Sequence, residues 1–405
     1  MRESLLPLLP LVVIAFGVSA IVVALATPWV RTFAHRVGAV QKGGNGHGDG
    51  RRRHAGKVPN VGGMAILAGF LIAVLFAAVL APGPLGDDRS PLLAIVLGGV
   101  LMTMVGLLDD LWELPVSMRL AAQTVAAGIL VVHGITIDFV TNYFVGGPFQ
   151  AWTGEGNFVF FGATVSAIVT ILWVVGFTNA FNFIDGADGL SSGVAAIGSF
   201  SLLAVAMQVD GRGQAVLLLA ALAGASIGFL RHNAGPAKIF MGDAGSYLLG
   251  YTLAAASVLG ALKVTAAVTV AAPVLILGLP VLNLTQVAVR RMRRGVSPTT
   301  AANDHLHDLL RERGRSERGT VWTLWGATLA LGVLGMLLAE TPPVLLWLTV
   351  ATAVAAVLGA SLLRWLEIRR EEGAAGPTPP RAAEAPAAEP PDRAVAATPA
   401  VRPRR

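Results

Sequence analysis

Residues 163–208 read ATVSAIVTILWVVGFTNAFNFIDGADGLSSGVAAIGSFSLLAVAMQ. Two apolar runs, 163–181 and 189–208, each approach the roughly 20 residues that a helix needs to cross a bilayer. A short polar segment rich in Asn, Asp and Gly separates them. The whole chain has 405 residues, of which 54% are hydrophobic and only 13% are charged. Because such a composition cannot cover a soluble surface, it predicts a membrane protein.

Apolar runs of this kind predict an all-α, polytopic membrane helix bundle of about 11 transmembrane helices. The fourth and seventh runs are the weakest, and a buried re-entrant segment is the alternative for each. A cleaved signal peptide is the alternative for the first run, although that run is longer than a typical signal-peptide core. The predicted spans are 5–28, 61–81, 91–108, 120–135, 163–181, 189–208, 214–230, 245–262, 264–289, 320–339 and 343–363.

Basic residues are concentrated in the loops on one side of this predicted bundle. Those loops hold 26 of the 30 Lys and Arg residues, and such an excess marks the cytoplasmic side. The sequence therefore predicts a multi-pass plasma-membrane protein with its N-terminus outside and its C-terminus in the cytoplasm. The net charge of +6 then reflects cations that face lipid headgroups or phosphate substrates, and no nucleic-acid partner is needed to explain it.

Composition also divides the chain. Residues 1–365 form the predicted membrane domain, and 366–405, rich in Ala, Pro and Arg, are predicted to be a disordered cytoplasmic tail. The absence of Cys excludes disulfides and thiolate metal sites.

Acidic and amide side chains collect at the predicted cytoplasmic ends of the spans. Such residues are costly at a membrane boundary and indicate function. Asn179, Asn182 and Asp185 recur every three residues and therefore share about one third of the helix circumference. Further candidates are the adjacent Asp109 and Asp110, then Asp188, Lys238 and Asp243. Oxygen ligands without sulfur favour Mg²⁺ or Mn²⁺ over zinc.

Each of these groups also has a simpler interpretation. Asp109 and Asp110 fit a solvated helix end, since adjacent helical residues diverge by about 100°. Lys238 fits an interfacial loop with a snorkelling lysine. His305 and His307 fit exposed polar residues, and the arginines near Arg294 fit determinants of topology.

Together, however, these residues give one face carboxylates for a divalent cation, plus Lys, Arg and His for phosphate oxygens. That composition predicts phosphoryl transfer between a soluble diphosphate donor and a lipid phosphate acceptor. A transporter is the alternative from another class of protein, but transporters concentrate ionisable groups near the middle of the membrane.

Six segments of the sequence resemble the polyprenyl-phosphate N-acetylhexosamine-1-phosphate transferase family, which contains MraY and WecA. They lie between the first and the last predicted cytoplasmic loops, so that the resemblance covers roughly residues 5–365. The segments are KVPNVGG (57–63), GLLDD (106–110), RLAAQ (119–123), NAFNFIDGADGL (179–190), NAGPAKIFMGDAGS (233–246) and RRGVSPTTAANDHLHDL (293–309).

The resemblance implies a bundle of ten or eleven helices that uses Mg²⁺, or Mn²⁺ as the alternative, to move a sugar 1-phosphate from a UDP-sugar to a polyprenyl phosphate with release of UMP. The His-Leu-His pattern and the eleventh span favour the WecA-like branch. UDP-GlcNAc is then the donor, undecaprenyl or decaprenyl phosphate the acceptor, and the product enters cell-envelope glycan synthesis. MraY-like use of UDP-MurNAc-pentapeptide is the nearest alternative. The oligomeric state is left open, with a homodimer among the options.

The resemblance also implies roles for individual residues. Asp243 and Asn182 are the expected metal ligands. Asp109 and Asp110 would act on the lipid phosphate as base or covalent nucleophile, and Asp185 and Asp188 would be essential acids near the diphosphate. The expected substrate-binding residues are Lys57, Arg119, Asn179, Asn233, Phe240, Arg294, His305 and His307.

Two positions depart from the family pattern. Arg119 stands where a Lys is common and stays protonated, which argues against proton transfer there. Asp308 replaces a His, and its spacing predicts a pair with Arg311.

Overall fold

The computed structural model describes residues 7–38, 58–141, 158–260, 270–295 and 305–374. Of these, the residues up to Arg364 belong to one compact unit, and a second unit begins at Trp365. Lys57 lies outside the described residues, as does most of the predicted tail.

Thirteen α-helices make up most of the described chain, so the predicted all-α class is confirmed. A single 3₁₀ turn is described at Gly83–Leu85, and β1 (Phe139–Thr141) pairs antiparallel with β2 (Phe158–Phe160). The helices are α1 (Leu8–Val37), α2 (Gly63–Leu80), α3 (Ser90–Trp112), α4 (Val116–Val132), α5 (Ala163–Ile184), α6 (Leu190–Ala206), α7 (Gly213–Asn233), α8 (Gly242–Gly260), α9 (Ala271–Ile276), α10 (Gly278–Arg293), α11 (Leu306–Glu312), α12 (Glu317–Leu338) and α13 (Pro343–Ala374).

Seven of these helices are long and apolar enough to cross a membrane: α1, α2, α3, α5, α7, α12 and α13. Two shorter apolar helices, α4 and α6, match two further predicted spans. The chain is therefore a multi-pass membrane protein. The seventh predicted run forms α7, a continuous helix of 21 residues, which is long enough to span without being re-entrant.

Several predicted boundaries differ from the structure. Helix α1 continues to Val37, past the predicted end at residue 28, because a helix can extend beyond the apolar part of its sequence. The described part of the run 264–289 is two helices, because α9 ends at Ile276 and α10 begins at Gly278. The ring of a proline clashes with the carbonyl of the residue four positions earlier. For Pro280 that residue is Ile276, where α9 ends. At the C-terminus, α13 continues past residue 365 to Ala374, since this stretch is rich in the helix formers Leu, Glu and Arg. The disorder predicted for the rest of the tail stays a prediction.

Helix α8 lies at the centre of the bundle. It packs against α2, α3, α5, α6 and α7, and nearly all of its residues are buried. Two glycines allow the closest approaches, because a Cβ at Gly63 or at Gly106 would overlap the backbone of the first turn of α8. Small residues allow membrane helices to come this close. The start of α8 is thereby fixed between α2 and α3.

Candidate active site

Asp110, at the end of α3, holds the first turn of α8. Its Oδ1 accepts a hydrogen bond from the backbone N–H of Asp243 at 3.0 Å, and its Oδ2 accepts one from Ala244 at 3.2 Å. The Asn60 side chain donates a third, 2.7 Å from Nδ2 to Oδ1. Asp110 thus caps a helix other than its own and acts as the acceptor that an N-terminal turn requires.

Asp109 points to a different set of donors. Its Oδ1 accepts from the backbone N–H of Leu114 at 2.8 Å, while Oδ2 accepts from Arg119 at 3.1 Å and from the Tyr247 hydroxyl at 3.0 Å. Asp109 is only 5% exposed. The solvated helix end considered from the sequence is therefore wrong for Asp109, because burial is possible only with these paired donors.

Asp243, the second residue of α8, is partly exposed at the end of an otherwise buried helix. The Asn182 side chain, from the last turn of α5, donates from Nδ2 to Asp243 Oδ1 at 2.5 Å and to Ser246 Oγ at 3.1 Å. The two residues that the family resemblance assigned to a metal therefore lie side by side, although 61 residues separate them in the chain.

Asp185 and Asp188 lie on the turn between α5 and α6. Ser191 Oγ donates to Asp185 Oδ1 at 2.6 Å and lies 3.5 Å from the sulfur of Met241. Asp188 Oδ2 accepts from the backbone N–H of Ala237 at 2.9 Å. Asp188 therefore contacts the segment 234–241, which leads into α8, and Asp185 is linked to the last residue of that segment through Ser191.

Asn233 and Phe240 flank this segment. Asn233 is 3% exposed; its Nδ2 donates to the carbonyl of Ile239 at 3.0 Å, and its Oδ1 accepts from Ser192 at 2.9 Å. The backbone of Phe240 pairs with Pro59 and Gly62, while its side chain is partly exposed. Asn233 therefore holds the backbone of the segment from its buried side, and the Phe240 ring lies on the partly exposed side.

Asn179 lies one turn before Asn182 on α5. Its Nδ2 donates to Gln123 Oε1 at 2.6 Å and to the carbonyl of Val175 at 2.7 Å. Gln123 is fully buried on α4. The pair connects the two helices that carry Arg119 and Asn182.

The two predicted histidines lie at the start of α11, near the α5–α6 turn. Their rings are parallel with centroids 5.6 Å apart, and Asn283 of α10 lies 3.3 Å from His305 Nδ1. The His307 ring lies directly on Gly186, where a Cβ would overlap it. Asp308 Oδ1 lies 3.6 Å from His307 Nε2. Arg294, directly after α10, is exposed, and its backbone N–H donates to the carbonyls of Arg290 and Arg291.

Comparison with known proteins places this chain in a family. A model of glycosyl transferase family 4 matches residues 92–261, which run from α3 to just past α8. The chain is 33% identical over 315 residues to a Bacillus subtilis protein named probable undecaprenyl-phosphate N-acetylglucosaminyl 1-phosphate transferase, covering 78% of this chain and 81% of the relative. It belongs to the polyprenyl-phosphate N-acetylhexosamine-1-phosphate transferase family.

Other members of the family show the same extent of similarity. A decaprenyl-phosphate N-acetylglucosaminephosphotransferase of Mycolicibacterium smegmatis is 32% identical over 361 residues, 84% of this chain and 86% of the relative. The undecaprenyl-phosphate alpha-N-acetylglucosaminyl 1-phosphate transferase of Escherichia coli is 28% identical over 315 residues, 76% of this chain and 79% of the relative. The family assignment made from the six segments is confirmed.

Several residues that position the candidate site were not singled out from the sequence. Tyr247 and Asn283 hold Asp109 and His305 from neighbouring helices, and Asn60 holds Asp110. A signal for Asn283 was present, because a fully buried amide within an apolar run is costly. Tyr247 gave no such signal, since an aromatic residue in a membrane helix is ordinary.

The different environments of Asp109 and Asp110 predict different failures on mutation. Asp109→Asn removes the charge that pairs with Arg119, and we expect it to lower the free energy of unfolding by about 1–3 kcal/mol. Asp110→Asn places an amide NH₂ against the N–H groups of α8, and we expect it to impair turnover more than stability, because Asp243 is displaced. Thermal unfolding in detergent and transfer assays of both variants check this. Equal, modest losses in both variants would contradict it.

Proposed function

We propose that this protein transfers GlcNAc-1-phosphate from UDP-GlcNAc to a membrane polyprenyl phosphate, giving polyprenyl-diphospho-GlcNAc and UMP. The observation that carries the proposal is the pairing of Asp243 with Asn182 beside Asp110, at the start of a central buried helix. The names of the relatives, which specify GlcNAc and a polyprenyl phosphate, favour this donor over UDP-MurNAc-pentapeptide.

The donor groups present fit a Mg²⁺ ion, with Mn²⁺ as the alternative. Asp243 and Asn182 would hold it, since both offer hard oxygen atoms and Asp243 is accessible at the helix end. No group of three or more His, Asp or Glu residues with metal-binding geometry occurs among the described residues. Mg²⁺ sites commonly use one or two carboxylates and complete the shell with water and substrate phosphates. The ion would neutralise charge that develops on the diphosphate.

The chain's own residues then bind and orient the two phosphates. An oxygen of the lipid phosphate forms the new bond to the sugar-linked phosphorus, and the bond from that phosphorus to UMP breaks. The attacking phosphate monoester has a second pKa near 6 and is already an anion at neutral pH. Such a nucleophile needs cations that orient it more than it needs a base. Arg119, which pairs with the buried Asp109, would supply one of these cations. His305 and His307 would contact the donor from the side of α11.

A transfer assay tests the proposal directly. Purified protein with undecaprenyl phosphate and radiolabelled UDP-GlcNAc is expected to give label in the organic-extractable lipid, with one UMP released per lipid formed. EDTA should stop the reaction, and added Mg²⁺ should restore it. Labelled lipid from UDP-MurNAc-pentapeptide but not from UDP-GlcNAc would contradict the proposed donor. Failure to form any lipid product would contradict transfer.

We propose that the site faces the cytoplasm, where a soluble UDP-sugar is available. The distribution of Lys and Arg supports this orientation. Because the chain has no Cys, single cysteines at Gly46 and Ala385 should resist an impermeant thiol reagent in intact cells, whereas a cysteine at Asp87, before α3, should react. Labelling at Gly46 or Ala385 would overturn the orientation.

A further inference from the structure

The segment 234–241 connects α7 to α8 and carries two candidate residues from the sequence, Lys238 and Phe240. Asp243, which the proposed function assigns to the metal, follows two residues after the segment ends. Its backbone is held from several elements. Lys238 N–H donates to the carbonyl of His232 at 2.9 Å, and Phe240 N–H donates to the carbonyl of Pro59 at 2.9 Å. The conformation of this segment is therefore fixed by hydrogen bonds to neighbouring elements.

One peptide unit in this segment is held on both edges by charged side chains. The N–H of Ala237 donates to Asp188 Oδ2 at 2.9 Å, and the carbonyl of Pro236, in the same peptide unit, accepts from Arg364 at 2.6 Å. Since the N–H and C=O of a planar peptide point in opposite directions, the carboxylate and the guanidinium lie on opposite sides. Both hydrogen bonds are charge-assisted, and each polarises the peptide in the sense that strengthens the other.

Arg364 is an unusual residue in this position. It lies on α13, more than 120 residues from Pro236 in the sequence, and is only 4% exposed. A buried guanidinium in a membrane helix is costly, so its presence needs a reason. Nearby Arg369 and Arg370 on the same helix are exposed, as basic residues at a membrane boundary usually are.

We infer that Arg364 is a positioning residue for the donor, which, together with Asp188, fixes the Pro236–Ala237 peptide and through it Lys238 and Phe240. The inference rests on the proposed function, because it assigns the segment to UDP-GlcNAc. It also gives Asp188 a role that needs no direct contact with substrate.

Arg364→Gln tests the inference, with Arg370→Gln as the matched control on an exposed position of the same helix. We expect Arg364→Gln to raise KM for UDP-GlcNAc about tenfold, as expected for the loss of a charge-assisted hydrogen bond. The kcat and the KM for undecaprenyl phosphate should stay within about threefold, and Arg370→Gln should match the wild type. Arg364→Lys, which keeps a charged donor, should lie between the two. An unchanged KM for UDP-GlcNAc in Arg364→Gln would overturn the inference.

A second measurement is independent of activity. Hydrogen exchange of the full-length protein is expected to accelerate in peptides covering 234–241 in both Arg364 variants, but not in Arg370→Gln. If Arg364→Gln does not fold, Arg364→Lys and Asp188→Asn are expected to show the same local acceleration. Unchanged exchange in this segment would overturn the inference even if transfer is impaired. If the wild type transfers no GlcNAc-1-phosphate while the exchange result is as expected, the proposed function is wrong. The exchange result would then still support the role of Arg364 in holding the Pro236–Ala237 peptide.

Discussion

Asp243→Asn is expected to lower kcat by about 100-fold or more, because losing a preorganised charged group at a phosphoryl-transfer site costs roughly 10²–10³ in rate. The substitution keeps the size of the side chain and retains an oxygen that can accept the hydrogen bond from Asn182. The fold should therefore survive, and thermal unfolding in detergent should match that of the wild type. Transfer from UDP-GlcNAc measures the effect on kcat.

The matched control for this variant is Asp87→Asn, at an exposed acid in the turn before α3. It removes the same charge from the chain without touching the site and should leave turnover unchanged. Retention of more than about a tenth of the activity by Asp243→Asn, roughly 1.4 kcal/mol of barrier, would argue against a ligand role for Asp243.

Gly106→Ala is expected to have a comparable effect, although it removes no functional group. A Cβ at Gly106 would lie within about 2.5 Å of Asp243 C and Ala244 Cα. These are backbone atoms of a helix that is packed on several sides, so they cannot move as a flexible side chain would. Either α3 or the start of α8 must shift, and displacements of about 1 Å in a site cost on the order of 100-fold in rate.

Gly128→Ala on α4 is the control for this variant, because a Cβ there meets nothing within 4 Å. It should be neutral or stabilising by up to about 1 kcal/mol, given the higher helix propensity of Ala. For Gly106→Ala we expect both a lower unfolding temperature and at least about 100-fold lower turnover. Wild-type activity in Gly106→Ala would mean that the contact between α3 and α8 does not set the position of Asp243.

Hydropathy predicted most helices of this fold, for a physical reason. Inside a bilayer every backbone group must be paired within its own segment, so an apolar run of sufficient length becomes a helix. The antiparallel pair of β1 and β2 gave no such signal, because strands of three residues are too short to show alternation. The break before α10 could not be predicted from average hydropathy, because hydropathy does not record the clash between Pro280 and the carbonyl of Ile276.

The candidate site was predictable as a set of residues but not as a set of contacts. The three-residue spacing of Asn179, Asn182 and Asp185 predicted one shared helix face, which is correct for the two asparagines, whereas α5 ends at Ile184 and leaves Asp185 on the following turn. The spacing could not reveal that Asn179 pairs with Gln123 while Asn182 pairs with Asp243. The divergence of Asp109 and Asp110 followed from helix geometry. Their partners on α8 did not, because Asp243, Ala244 and Tyr247 lie more than 130 residues away in the chain. Asp308, which the sequence predicts beside Arg311, lies 3.6 Å from the His307 ring.

The cap that Asp110 provides has a consequence for inhibitors. A glycine-rich helix start, such as that of α8, is ordinarily an attractive anion-binding site, because the helix dipole and the free N–H groups favour phosphate there. In this protein the chain's own carboxylate already accepts from the N–H groups of Asp243 and Ala244. A diphosphate mimic aimed at that helix start would have to displace Asp110.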